Sequence, residues 1–248
     1  MKYAAIVAGY NCEDTIKATL ISIIHQTTQP SQVIYVDDAS TDESLKIVKK
    51  LKRQFHNLII VQNPHNLGVA LSRNRGVEFC SEQIVAFCDA DDVWLPNKME
   101  RQIQLLQSNP GCIGAFSNRL IYDTKNVTTK FIKSPRLISK KQLLVRNYIT
   151  FSSLVLQRNV FKKTKFRKIN HEDYDFLLSL AENNENFYLL NTGTIDVVYK
   201  ITGNNTTKNK LSSILWHVNV LKEHNICLFN IILLLIRNFK SRVVKVLV

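Results

Sequence analysis

Over the first 90 residues, short apolar runs alternate with segments of helical periodicity, and this alternation restricts the fold more than any other feature. Residues 4–8 (AAIVA), 32–37 (QVIYVD), 58–62 (LIIVQ) and 84–88 (IVAFC) have the length and composition of buried strands. Between them, Ile16, Leu20, Ile23 and Ile24 recur at helical spacing. Leu45, Val48 and Leu51 face inward opposite Lys49, Lys50, Lys52 and Arg53, and a third helix is expected over 68–81. Such alternation builds βαβ units and a mostly parallel sheet flanked by helices. Ligands bind these sheets outside the carboxyl ends of the strands. Three runs end in polar residues suited to that edge: Tyr10-Asn11, Asp37-Asp38 and Asp89-Ala90-Asp91-Asp92.

The last of these carries a physical cost. Two unit charges about 4 Å apart repel by about 4 kcal/mol at an effective dielectric of about 20. Water offsets this if the segment is an acidic turn capping a helix expected over 97–108. If the aspartates form a site, a hard cation such as Mg²⁺ or Mn²⁺ and a nucleotide diphosphate offset it. Asp37 and Asp38 could accept hydrogen bonds from a ribose or a base, while Ser40, Thr41 and Asp42 read as a turn and helix cap. Arg73 and Arg75 approach the same edge, either toward a base or diphosphate or as a solvated helix face. His171-Glu172-Asp173 opens a helix over 172–182. Acids there favour the helix dipole, or one of them serves as a general base. His171 reads as a ligand or as a capping or packing residue.

The net charge of +13 implies an anionic partner, but the charge is segregated. Thirteen Lys or Arg lie between Lys125 and His171 with no Asp or Glu among them, which a uniformly basic nucleic-acid binder would not need. The five cysteines include no CxxC pair, so neither zinc nor a disulfide framework is indicated, and Cys80, Cys88 and Cys112 read as buried small hydrophobes. The N-terminus is expected to be a first strand rather than a leader, and no apolar run reaches the length of a transmembrane helix. A cytoplasmic chain is therefore expected. Residues 112–116 look like a further short strand, 187–199 are strand-like, and 203–210 look like an exposed link. The tail combines ICLFNIILLLI with Arg237, Lys240, Arg242 and Lys245. It suits either a helix lying in the interface of an anionic inner leaflet or one packed in a core or dimer.

The segments IVAGYN, YVDDASTDES, NLGVALSRNRG, FCDADDVWLPNK and HEDYDFLLSL, in that order and at those intervals, resemble the family 2 glycosyltransferases of GT-A fold, of the bacterial cell-surface polysaccharide type. The resemblance runs from residue 3 to about 200. It implies an inverting transferase that uses a sugar nucleotide, a UDP-sugar by preference, and Mg²⁺ or Mn²⁺. By motif, Ala8, Tyr10, Asp38, Arg73 and Asp89 match nucleotide-binding positions, Asp91 the metal ligand and Asp173 the catalytic base. Glu172, Asp92 and His171 are secondary candidates. Where many members read Y-R-x-H-G, this chain has Lys200 and Thr202. A GT-A domain is expected over 1–205, with a nucleotide-binding half (1–110) and an acceptor-side half (111–205), followed by a helical tail (206–248).

The implied acceptor is a hydroxyl of a glycan or of a lipid-linked glycan in polysaccharide or lipopolysaccharide synthesis, with peripheral membrane contact through the tail and no nucleic-acid partner. Three other readings stay open on the residues alone. A nucleotidyltransferase of the same fold would release pyrophosphate, a basic nucleic-acid-binding module would show steep salt dependence, and a receiver-type signalling module would place its acids on the first strand.

Overall fold

The computed structural model describes residues 1–201 and 210–244, the side chains of 210–211 and 239–244 excepted. Its first half follows the expected alternation: β1 (Tyr3–Gly9), α1 (Ile16–Ile24), β2 (Gln32–Asp37), α2 (Ser44–Lys52), β3 (Leu58–Gln62), α3 (Val69–Glu78) and β4 (Ile84–Asp89). Then come β5 (Val93–Trp94), α4 (Lys98–Gln107), β6 (Gly114–Asp123), β7 (Thr128–Ile132), β8 (Leu137–Ser139), α5 (Lys140–Val145) and β9 (Val155–Gln157). The chain closes with α6 (Glu172–Glu182), β10 (Tyr188–Ile201), α7 (Lys210–Glu223) and α8 (Leu228–Val244).

The described strands form one sheet in the order β3-β2-β1-β4-β9-β6-β10-β5, with β7 beside β6 and β8 beside β10. Strands β3, β2, β1 and β4 pair in parallel, as do β6 and β10. Strand β9 runs antiparallel to both β4 and β6 and stitches the two parallel sets together. Because both faces are covered by helices, alternate residues of one strand feed two cores. On β1, Ala4 and Ile6 join the core beneath α3 and α6, while Tyr3, Ala5 and Val7 join the one beneath α1, α2 and α4. Gly76 on α3 lets that helix lie on the sheet, since a Cβ there would stand 2.5 Å from Ile6 Cγ2.

Several expectations need correction. The strand read as 112–116 is a ten-residue strand, Gly114–Asp123, whose half-exposed outer half hid it from a search for apolar runs. The basic stretch 125–168, for which the sequence pattern gave no elements, supplies β7, β8, α5 and β9. Helix α2 starts after Asp42, which nevertheless accepts the Ser44 N–H at 3.0 Å. Helix α3 stops at Glu78. The expected link 203–210 lies outside the described residues except for Lys210, as do Thr202 and Lys245.

The C-terminal helices return to the body. Val220, Leu221 and Ile231 are buried in the same apolar core as Phe176, Leu177 and Leu180 of α6. The outer side of α8 differs: Leu228, Phe229, Ile232, Leu233 and Ile236 remain 40–70% exposed. Among the described residues no helix is long and apolar enough to cross a membrane.

Candidate active site

Strands β1, β2 and β4 end together at one edge, so Tyr10, Asp38 and Asp89 emerge side by side, with Ala8 in register with Asp89. Asn11, Ala39 and His171 adopt left-handed φ at this edge, a conformation that costs energy and gathers at functional sites. Asp38 is buried and turned onto the loop after β3. It accepts hydrogen bonds from Asn63 Nδ2 at 2.7 Å and from the Leu67 and Gly68 backbones at 2.8 Å. Burial opposes its charge, yet these donors hold the carboxyl below its usual range. Gly68 makes the arrangement possible, because its φ of 90° is open to glycine. Tyr10 is half exposed, and Ala8 is partly exposed.

Arg73, on α3, is neither a solvated face nor reaching outward. Its guanidinium meets Asp89 at 2.7 Å and Glu172 at 2.9 Å and lies 4.3 Å over the Phe151 ring. One buried cation thus joins the end of β4 to the start of α6. The three aspartates at and after the end of β4 have separate fates. Asp92 is fully buried, accepting from Ser152 Oγ and from the Lys200 N–H. Ser152 Oγ also accepts the Asp89 N–H at 3.0 Å, so a single hydroxyl fixes both residues. Burial and the Asp89 charge push Asp92 well above the carboxylate range, and the same two causes push Asp91 up to about 6.

Asp89 and Asp91 are hard oxygen donors under electrostatic stress, which a divalent cation would relieve. Among the described residues no three His, Cys, Asp or Glu form a cage. The pair fits a divalent cation held by one or two carboxylates.

Glu172 and Asp173 open α6. Asp173 accepts from Asn147 Nδ2 at 3.1 Å and from the Tyr174 N–H at 2.7 Å. Burial raises its pKa more than the charge of Arg73 lowers it. Glu172 is likewise raised, by burial first. His171 packs edge-on against Trp216 of α7, 5.5 Å between ring centres, and burial lowers its pKa. Asp173 faces a cavity of about 620 Å³ whose walls include Asp89, Arg73, Arg119, Arg146, Tyr199 and the α7 residue Trp216. Tyr10, Asp38 and Asp91 do not line it.

The structure therefore brings Arg73, Asp89, Glu172, Asp173 and His171 to one cavity, and sets Ala8, Tyr10, Asp38 and Asp91 along the adjoining edge. Asp92 turns inward. Ser152, Asn147 and Arg119 escaped the sequence reading. Nothing in a lone Ser or Asn marks it, and Arg119 precedes the acid-free stretch that drew attention to Arg146.

A family model described as glycosyl transferase family 2 matches residues 4–169. The chain is 31% identical over 231 residues, 90% of each chain, to the Escherichia coli UDP-Glc:alpha-D-GlcNAc-diphosphoundecaprenol beta-1,3-glucosyltransferase WfaP. It is 25% identical over 208 residues, 84% of this chain and 82% of the relative, to the putative teichuronic acid biosynthesis glycosyltransferase TuaG of Bacillus subtilis. Among solved structures, S. aureus TarS 1–349 in complex with UDP-GlcNAc superposes with a TM-score of 0.68 at 21% identity. That match covers 86% of this chain and 61% of the TarS chain. The mannosyltransferase PcManGT from Pyrobaculum calidifontis, in complex with GDP-Man and Mn2+, superposes with a TM-score of 0.67 at 18% identity, covering 91% of this chain and 65% of that one. With a mostly parallel sheet, an acidic strand edge and these matches together, the chain belongs to glycosyl transferase family 2 and carries the GT-A fold.

Proposed function

We propose that this glycosyltransferase moves a sugar from a UDP-sugar, with inversion, to a hydroxyl of a lipid-linked glycan in cell-surface polysaccharide synthesis. The observation that carries the reading is Asp173, a carboxylate of raised pKa facing the cavity, next in sequence to Glu172, which Arg73 ties to the strand-end Asp89. Asp173 takes the proton of the acceptor hydroxyl. The acceptor oxygen bonds to the anomeric carbon as the bond to the donor diphosphate breaks, and the electron pair leaves with the nucleoside diphosphate. The displacement is direct, so no protein nucleophile is required. Asn147 orients the base, and Arg73 holds Glu172 and Asp89 in fixed relation. Ala8, Tyr10 and Asp38 line the nucleotide side. A divalent cation held by Asp91, with Asp89, would supply charge neutralisation for the departing diphosphate.

The acceptor class is supported by the activity of WfaP, which acts on a diphosphoundecaprenol-linked sugar. The exposed apolar residues of α8, followed in sequence by Lys240, Arg242 and Lys245, support peripheral contact with an anionic leaflet at the cytoplasmic face.

The test is a thermal-shift screen of UDP, GDP, CDP and dTDP with and without Mn²⁺, on wild type and Asp91→Asn, followed by product analysis. Stabilisation by UDP that needs metal and is lost in Asp91→Asn supports the reading; at a hundredfold excess over Kd it amounts to about 2.7 kcal/mol. Release of pyrophosphate rather than a nucleoside diphosphate would replace it with nucleotidyl transfer.

A further inference from the structure

Helix α1 is largely apolar, yet it and the residues just past its end send polar side chains to the segment that follows β4. Ser22 Oγ accepts the Trp94 N–H at 3.1 Å. Gln26, beyond the helix end, donates to Leu95 O at 2.9 Å and accepts the Met99 N–H at 3.1 Å. Thr19 is fully buried, and its hydroxyl donates to Ala90 O at 2.9 Å and to Asp92 O at 2.8 Å.

Those two carbonyls belong to the residues on either side of Asp91. A hydroxyl carries one proton, so the two bonds share it as a three-centre contact. Asp92 is anchored again through its carboxylate, by Ser152 Oγ and the Lys200 N–H. Its own N–H closes the turn on Asp89 O at 3.2 Å. Both neighbours of Asp91 are thereby fixed, and the direction of its Cα–Cβ bond with them. Only its side-chain torsions remain to aim the carboxylate. A buried hydrogen bond of this kind adds little net stability. A bound cation, by contrast, needs its ligands held to within about 0.5 Å.

We infer that Thr19 is a positioning residue for the divalent cation, its hydroxyl setting the direction of the Asp91 carboxylate by clamping the peptides on both sides of it. Groups that orient a metal ligand without touching the metal govern affinity in this way. The inference rests on the assignment of Asp91 to the cation in the proposed function and adds the residue that preorganises it.

The test is Mn²⁺ binding in the presence of UDP, with no acceptor and no turnover. It is read by water-proton relaxation, which separates the protein-bound ion from the Mn²⁺–UDP complex in solution. Wild type binds the ion and Asp91→Asn does not, which assigns the signal to Asp91. Thr19→Val keeps the shape of the side chain but has no donor, and raises the Mn²⁺ Kd about ten- to a hundredfold. Thr19→Ser restores the hydroxyl and returns the Kd close to wild type. Thr19→Ala serves if Thr19→Val does not fold. Ser22→Ala removes the anchor at Trp94 and is the structural control: it lowers the melting temperature with little change in Mn²⁺ Kd. In transfer assays, Thr19→Val needs correspondingly more Mn²⁺ for half-maximal rate, while kcat at saturating Mn²⁺ approaches wild type.

An unchanged Kd in Thr19→Val, or equal weakening in Ser22→Ala, overturns the inference. So does a kcat that stays low at every Mn²⁺ concentration, the mark of a merely structural loss. Wild type that binds no Mn²⁺ with UDP, or binding that survives Asp91→Asn, overturns the metal assignment of the proposed function and the inference with it. Those two results come from arms that do not involve Thr19, so the two failures are told apart.

Discussion

Arg73 and Glu172 meet at 2.9 Å across 99 residues of sequence. The same guanidinium holds Asp89, so the acidic end of β4 and the first turn of α6 share one buried cation. Removing it strands two carboxylates in a recess, and breaking a buried pair in this way costs about 3–5 kcal/mol. Arg73→Ala is therefore expected to lower the urea midpoint by a corresponding amount and to abolish transfer. Arg73→Lys should fall between, since an ammonium cannot span both partners with a planar fork. A midpoint equal to wild type for Arg73→Ala would mean that the brace contributes nothing.

Asp173 titrates above an ordinary carboxylate because it is buried. As the base it must be deprotonated, so kcat falls on the acid side with an inflection above the usual carboxylate pKa of about 3.9. Stability runs the other way. A group whose folded pKa exceeds its unfolded pKa binds more protons when folded, so stability drops as pH rises through that window. Asp173→Asn should lose about 10²–10⁴-fold in kcat while unfolding no earlier than wild type at neutral pH. An acid limb unchanged in shape in Asp173→Asn would transfer the base role elsewhere.

Ser152 donates to the buried Asp92 and receives the Asp89 N–H. Ser152→Ala leaves a buried carboxylate short of a donor, at about 1–3 kcal/mol. The effect on catalysis should be a lower kcat with little change in donor KM, because Asp89 is displaced rather than removed. Equal melting temperatures for the two proteins would count against the Ser152 link.

His224 directly follows α7 and sits between Asp175 and Glu182 of α6, with Arg167 on both Asp175 and Glu223. Burial opposes its charge, but hydrogen bonds to Asp175 and Glu182 outweigh it and raise the pKa above 6.5. Its contribution to stability is complete below about pH 6.5 and is lost as pH rises through the folded value. Protection factors of the α7 amides, corrected for intrinsic exchange, should therefore fall on the alkaline side of neutrality in wild type. In His224→Gln they should be lower throughout and show no such step with pH. The same exchange rates in both proteins would show that this contact does not hold α7.

Much of this was legible in the sequence. The four buried runs and their polar ends are local patterns, and they located β1, β2, β3, β4 and the site edge. What stayed hidden depends on contacts between distant residues. Arg73 reads identically whether its partners are nucleotide or Glu172. Strand β9 has three residues, too few for a period to show. In the tail, Ile231 faces the core and Ile232 faces solvent, and apolar character alone does not separate neighbours whose roles are set by where α5 and α6 lie.

Strand β9 has a consequence for the order in which the chain assembles. Residues 1–110 complete β3-β2-β1-β4 yet leave β4 with an unpaired flank until residues 155–157 have been made. Through that interval the nascent protein presents Ile84–Ala86, a short apolar edge of the kind that recruits other chains. Fragments ending before β9 should thus be the aggregating ones, and the three residues Val155–Gln157 close the seam for the whole molecule.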